Sequence, residues 1–171
     1  MLTCIVHNYN NGKYLKKCLE SIVLQETQYK FEVIVIDDCS NDNSKQVVES
    51  LIYEYSSKNK SSPLSKSKYG FHNSDNLHFF STKKNTGIGK KAVEELNGQI
   101  KPFLKSKYIF RIDSDDYLID KTKFEKQISY LDHNPTCVGI CHHYKINNEK
   151  NNSIEIVNHA VVGTFSAFQI I

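Results

Sequence analysis

The sequence lacks four features that would each have decided its class. No window approaches the ~20 consecutive apolar residues of a membrane-spanning helix. The N-terminus, Met1-Leu-Thr-Cys-Ile-Val-His-Asn-Tyr-Asn10, has neither the basic segment nor the long apolar segment of a secretory signal, so a cytoplasmic protein is expected. There is no Cys-x-x-Cys pair. The five cysteines, Cys4, Cys18, Cys39, Cys137 and Cys141, are odd in number and lack a secretory context, so they read as reduced thiols, mostly in the core. His142 beside Cys137 and Cys141 suggests zinc, but the ligand spacing is wrong and a strand of small buried hydrophobes explains the same run. Finally, there is little excess charge: 22 Lys and Arg against 19 Asp and Glu leave +3, too little to argue for a nucleic-acid partner.

An internal repeat and a dividing linker are also missing. At 171 residues, 39% hydrophobic and 24% charged, the chain 1–171 suits one domain around one core. One stretch cannot contribute to that core. Residues 56–68 hold six Ser, four Lys and a single apolar side chain, so a mobile Ser/Lys-rich loop is expected over 56–76. Its lysines leave open a peripheral contact with an anionic membrane surface at the inner face, but four charges attract weakly at physiological salt and a solvated loop is the expectation.

What is present alternates. Leu2 to Val6 is a short β-branched run closed by Asn8-Tyr-Asn-Asn-Gly12. Tyr14, Leu15, Cys18, Leu19, Ile22 and Val23 then carry the three-and-four spacing of a buried helical stripe over Lys13 to Gln25. Phe31 to Ile36 is almost continuously apolar, as in a strand covered on both faces of a parallel sheet. A helix follows from Ser44 to Tyr55, with Asp42 or Ser44 as cap. A strand at Leu77–Thr82, a helix from Gly89 to Leu104 and a strand at Lys107–Ile112 repeat the order. Phe124, Ile128 and Leu131 mark a further helix closed at Asn134-Pro135, with strands at Cys137–Cys141 and Ile154–Val157 after it. The class is α/β, a mostly parallel sheet flanked by helices.

In such a sheet, ligands bind beyond the carboxyl ends of the strands. Three of those ends are polar: His7-Asn8-Tyr9-Asn10, Asp37-Asp38 and Asp113-Ser114-Asp115-Asp116. Three carboxylates in four residues repel one another unless a hard cation neutralises them, and Mg²⁺ or Mn²⁺ takes one or two carboxylates and completes its shell with water and phosphate oxygens. Asp113 and Asp115 are thus metal candidates. The alternative is a turn using Asp and Ser as caps.

Four segments in register carry a resemblance. Lys107-Tyr-Ile-Phe-Arg-Ile-Asp-Ser-Asp-Asp-Tyr-Leu-Ile119 resembles the Asp-x-Asp strand of family 2 glycosyltransferases, which are inverting enzymes of the Rossmann-like GT-A fold. Thr3-Cys-Ile-Val-His-Asn-Tyr-Asn10 is similar to their opening strand, Phe31-Glu-Val-Ile-Val-Ile-Asp-Asp-Cys-Ser-Asn-Asp42 to their nucleotide-recognition loop, and Asn85-Thr-Gly87 to the Asn-x-Gly before their third helix.

The resemblance implies metal-dependent transfer of a sugar from a nucleotide diphosphate sugar, UDP-sugar favoured, to the hydroxyl of a saccharide or lipid-linked acceptor, in cell-surface polysaccharide or glycolipid synthesis. It implies that Tyr9 and the backbone around His7 flank the base, and that Asp38 accepts from a base N–H while Asp37 shapes the loop. Asp113 would approach ribose or metal, Asp115 would ligate Mn²⁺ or Mg²⁺, and Asn85 would belong to the donor site. Tyr9 packing on the sheet, and either Asp capping the next helix, are the local alternatives.

There are departures. His7 stands where the family often has Pro or Thr, and the helix after Asn85, which usually presents an Arg to the diphosphate, has only Lys90 and Lys91. Lys91 is taken as the substitute, though a solvated helix face explains both lysines. After Asp120 the acidic residues are Glu125, Asp132, Glu149 and Glu155, none in the Glu-Asp pair that carries the family's general base, so the catalytic base is unassigned. The tail Phe165-Ser-Ala-Phe-Gln-Ile-Ile171 reads as interrupted mid-domain, with the acceptor part missing. A donor-binding module without turnover is therefore the alternative, and a receiver-like domain using Asp37 and Asp38 leaves the later Asp cluster without a purpose.

Overall fold

The computed structural model describes residues 1–58, 74–87, 89–141, 144–148 and 153–157. Among these residues six strands and four α-helices follow in the order β1 (Leu2–Asn8), α1 (Gly12–Val23), β2 (Phe31–Asp37), α2 (Ser44–Lys58), β3 (Ser74–Ser81), α3 (Gly89–Ile100), β4 (Tyr108–Asp113), α4 (Lys123–His133), β5 (Tyr144–Asn148) and β6 (Ser153–Val157). A 3₁₀ turn at Lys101–Phe103 follows α3.

The chain divides into two compact units, Met1–Glu125 and Lys126–Ile171. The first holds a parallel sheet of order β3-β2-β1-β4. The order sets the location of the site. From β1 the chain moves outward to β2 and β3, and α3 then returns it to β4 on the far side of β1. The direction of winding therefore switches between β1 and β4, and a crevice opens at the carboxyl ends of strands where it does.

Register fixes which side chains share a face. Ile5 pairs with Ile34, and His7 with Ile36. Ile5, Ile34 and Ile36 pack on Ala92, Leu96 and Ile100, with Phe80, Val93, Phe103 and Leu104 at the margin. The alternate residues Cys4, Val33 and Val35 are fully buried on the opposite face, Cys4 close to Cys18 of α1. All seven residues of β2 are buried, as expected of a central strand covered on both sides.

Several boundaries differ from the sequence pattern. Both ends of the loop expected over 56–76 are regular, since α2 runs on to Lys58 and β3 begins at Ser74; residues 59–73 lie outside the described residues. Ser and Lys do not break a helix already anchored by Val48 and Leu51, and polar Ser74 is carried into the sheet by its pairing with Phe31.

In the second unit, Cys137–Cys141 is irregular rather than a strand, since Gly139 interrupts the run and has no side chain to pack. The strands are β5 and β6, an antiparallel pair. Of the five free cysteines only Cys4 and Cys18 are buried; Cys39 and Cys137 are half-buried and Cys141 is exposed. The Cys137 thiol donates to the carbonyl of Gly139 at 3.2 Å, and His142 lies outside the described residues. Among the described residues no helix is long and apolar enough to cross a membrane.

Lys123 is an exception to the apolar core. It is only 9% exposed, and its ammonium lies 4.9 Å from the centre of the Phe110 ring. Burial lowers its pKa from 10.5 to about 8, with Cys4 and Asp120 opposing the shift. A buried lysine whose folded pKa is depressed opposes folding while charged, so between pH about 8 and 10.5 the unfolded chain binds more protons and stability rises with pH. Lys123→Met is expected to stabilise the fold at neutral pH and to flatten that rise. Urea melts across the window check this; a destabilised variant at neutral pH would show that the ammonium–ring contact outweighs burial.

Candidate functional site

The carboxyl ends of the strands are tied together by one carboxylate. Asp37, 3% exposed at the end of β2, accepts from Asn8 Nδ2 (2.7 Å) of β1, from the Ser40 amide (3.0 Å) and hydroxyl, and from Ser81 Oγ (2.9 Å) of β3. The loops above it are then stapled to each other. The Asn10 amide donates to Ser40 Oγ at 2.8 Å, the Asn41 amide donates to Asn10 Oδ1 at 2.9 Å, and the Gly12 amide at the start of α1 donates to Asp42 Oδ2 at 2.8 Å. A Cβ at Gly12 would push the Asn43 side chain aside and crowd the Ser44 amide nitrogen at 3.1 Å, so glycine eases this close approach.

Asp38, 7% exposed, faces the other loop. One of its oxygens accepts from Thr82 Oγ1 at 3.1 Å and the Thr86 amide at 2.8 Å, the other from the amides of Thr86 and Gly87, both at 3.0 Å. Burial pushes its pKa up, but these hydrogen bonds outweigh burial and hold it below the ordinary carboxylate value. In place of a free acceptor for a base N–H, the Asp38 carboxylate is committed to Thr82-Lys83-Lys84-Asn85-Thr86-Gly87. Gly87, at φ +74°, takes the left-handed conformation that turns the loop toward α3.

On the other side of the switch point, Ser114 of the Asp-x-Asp is fully buried; its amide donates to the His7 carbonyl at 2.9 Å and its hydroxyl accepts from Asn11 Nδ2 at 3.2 Å. With the middle residue anchored inward, Asp113 and Asp115 are left exposed and both face the crevice.

That crevice has a volume of about 430 Å³. His7, Asn8, Tyr9 and Asn11 line it from β1 and its loop, Ile36 and Asp38 from β2, Asn85, Gly87 and Ala92 from the third loop and α3, and Asp113 and Asp115 from β4. His7 is half-buried, and burial, then Arg111, lower its pKa, with Asp113 acting in the opposite sense. Tyr9 is 48% exposed at the rim, and Asn85 Nδ2 donates to the Asp38 carbonyl at 3.5 Å.

Thus His7, Tyr9, Asp38, Asn85, Asp113 and Asp115 come together as the motifs suggested. Lys91 does not: it is exposed, and Ala92, one residue on and 100° around the helix, takes the wall position. Side-by-side reading of the motifs missed Ile36 and Ala92, whose signal was the pairing of Ile36 with His7 and the small side chain opposite it. Among the described residues no three His, Cys, Asp or Glu side chains come together as a complete protein-only metal cage. An Asp pair facing a cleft suits an ion that takes its remaining ligands from phosphate and water.

The family model for glycosyl transferase family 2 matches residues 3–167. The chain belongs to that family. It is 28% identical over 134 residues to an uncharacterized glycosyltransferase of Mycoplasma pneumoniae, covering 78% of this chain and 37% of the relative. It is likewise 28% identical over 133 residues to the poly(ribitol-phosphate) beta-N-acetylglucosaminyltransferase TarS of Staphylococcus aureus, covering 75% of this chain and 18% of that protein. Among solved structures, S. aureus TarS 1–349 in complex with UDP aligns with a TM-score of 0.55 at 28% identity, over 77% of this chain and 32% of that one. The mannosyltransferase PcManGT of Pyrobaculum calidifontis, in complex with GDP-Man and Mn²⁺, aligns with a TM-score of 0.58 at 18% identity, over 80% and 33%, and shares the fold. The chain thus spans between 18% and 37% of the length of these relatives.

If Asp38 holds the third loop, Asp38→Ala should release it. Leaving the Thr86 and Gly87 amides without acceptors is expected to cost about 1–3 kcal/mol and to speed hydrogen exchange at both. Because the folded pKa of Asp38 is depressed, its contribution is present above the ordinary carboxylate range and lost as pH falls through the lowered value. Unchanged exchange at both amides in the variant would show that the loop is held by other groups.

Proposed function

We propose that the crevice binds a nucleotide diphosphate sugar, with a UDP-sugar favoured, and that the enzyme of which these residues form the donor side transfers the sugar with inversion to an acceptor hydroxyl. The observation that carries the reading is the meeting, at the switch point of a family 2 fold, of the exposed pair Asp113 and Asp115 with the rim formed by Tyr9 and Asn85. The wall formed by Ile36 and Ala92 suits a base, and the Asp pair suits a diphosphate through a divalent cation. Asp115, with Asp113, would hold Mn²⁺ or Mg²⁺, which would offset the charge of the departing diphosphate. The complexes of TarS with UDP and with UDP-GlcNAc, at 28% and 27% identity, support a uridine nucleotide. A saccharide or lipid-linked acceptor, met in the cytoplasm or at the inner face of the membrane during surface polysaccharide or glycolipid synthesis, completes the proposal.

A second reading, donor binding without turnover by these residues alone, is favoured by Glu125. Its carboxylate is taken by Thr27 Oγ1 at 2.9 Å and by the Gln28 amide at 3.0 Å and side chain at 2.8 Å, so it is not held ready as an acceptor base. Product formation with a panel of saccharide acceptors, against donor hydrolysis alone, separates the two readings.

Both share one expectation. UDP should bind more weakly once EDTA removes divalent ions, and Asp115→Ala should abolish that metal-dependent part while the metal-free affinity stays as it was. Calorimetric titration with and without Mn²⁺ checks this; equal affinity in both conditions would defeat the metal assignment.

A further inference from the structure

His7, next to last in β1, pairs with Ile36 on one side and with Asp113 on the other. Because Ile5 and Ile36 share its face and pack on α3, the imidazole lies on the α3 side of the sheet, at the floor of the crevice. Its two nitrogens differ in their surroundings. Nδ1 is sealed from solvent and has no hydrogen-bond partner among the described residues. Nε2 has no protein partner among them either, but it is not sealed.

A proton on Nδ1 would make a buried N–H without an acceptor, which is a rarer and costlier orphan than a bare lone pair. The neutral ring therefore carries its proton on Nε2, where the donor faces the crevice. The other polar group at that wall, Asp38, has both carboxylate oxygens occupied by the third loop. Asp113, beside His7 in the ladder, and Asp115 are the groups suited to the diphosphate through a cation. The N–H of His7 is thus a donor beside the apolar floor of Ile36 and Ala92 with no acceptor among the described residues.

We infer that the His7 side chain is a specificity-determining residue: its Nε2–H donates to a carbonyl oxygen of the nucleobase, so that the crevice takes uracil or guanine nucleotides over adenine, which carries an amino donor where guanine has its carbonyl and offers only ring nitrogens as acceptors. This rests on the crevice being the donor-nucleotide site.

The test is binding of UDP, GDP and ADP, each with Mn²⁺, to the full 171-residue chain and to His7→Phe and His7→Gln. Expected is that His7→Phe weakens UDP and GDP about 2–10-fold, the range for one net hydrogen bond, and leaves ADP unchanged. His7→Gln, which keeps an N–H donor, should recover most of the loss. Equal weakening of UDP and ADP, or no weakening, would overturn the inference, since the ring would then serve the ribose, the diphosphate or packing. Failure of the unaltered chain to bind any of the three would remove the donor-site reading itself, and the inference with it. A second measurement needs no variant: ring ¹⁵N shifts should show the proton on Nε2 and move on addition of UDP but not of ADP, and a proton on Nδ1 would refute the assignment.

Discussion

The crevice depends on a buried negative charge that no cation among the described residues neutralises. Asp37 sits at the end of the central strand, and an isolated carboxylate there would cost far more than the fold could sustain. Donors from Asn8, Ser40 and Ser81 solve this by converging on it, and in doing so they bring the ends of β1, β2 and β3 to one point. Charge-assisted hydrogen bonds of this kind are short and directional, so the position of each donor is fixed along with the charge. Two strained residues follow. Cys39 at φ 60° and Asn10 at φ 52° occupy the left-handed region, and the network through Ser40 and Asn41 over-determines both. The rim of the crevice thus inherits its shape from a residue that does not line it.

The extent to which this could be read from sequence follows from how far apart the interacting residues lie. β1 and β2 were legible because burial on both faces leaves a local mark, and β4, an edge strand with Ile109 exposed, because of its aromatic and β-branched run. The Asp-x-Asp was legible for the same reason, its polar residues standing directly after such a strand. The β5–β6 pairing was not: Tyr144-Lys-Ile-Asn-Asn148 is half polar, and only its antiparallel partner explains it as a strand. Lys91 illustrates a finer limit. A motif places the helix beside the crevice, but which residue faces inward turns on a single position of helical phase, and Ala92 has it.

The two adjacent aspartates of the second loop show why role is harder to read than place. Asp37 and Asp38 are neighbours in sequence and equal in chemistry, and both are buried. Their difference is set by donors some 45 residues later: Ser81 goes to Asp37, whereas Thr82, Thr86 and Gly87 go to Asp38, |i−j| being 44 for Ser81 and for Thr82. Strand pairing of β2 with β3 decides that distribution, because successive residues at a strand end alternate in direction.

That distribution also bears on the charge of the site. A diphosphate approaching three crevice carboxylates would be repelled by all of them if each carried its full field. Asp38 does not, because the amides of Thr86 and Gly87 point at it and their dipoles offset its charge where the crevice wall is built. Asp113 and Asp115 remain, exposed and side by side, while no Lys or Arg among the described residues lines the crevice to oppose them. Two carboxylates facing an anion become workable only when a divalent ion is shared between them, with the phosphate oxygens completing its shell. On the proposed reading, the same feature that would repel the nucleotide in the absence of metal would bind it in its presence, which would make metal and donor mutually dependent ligands of one crevice.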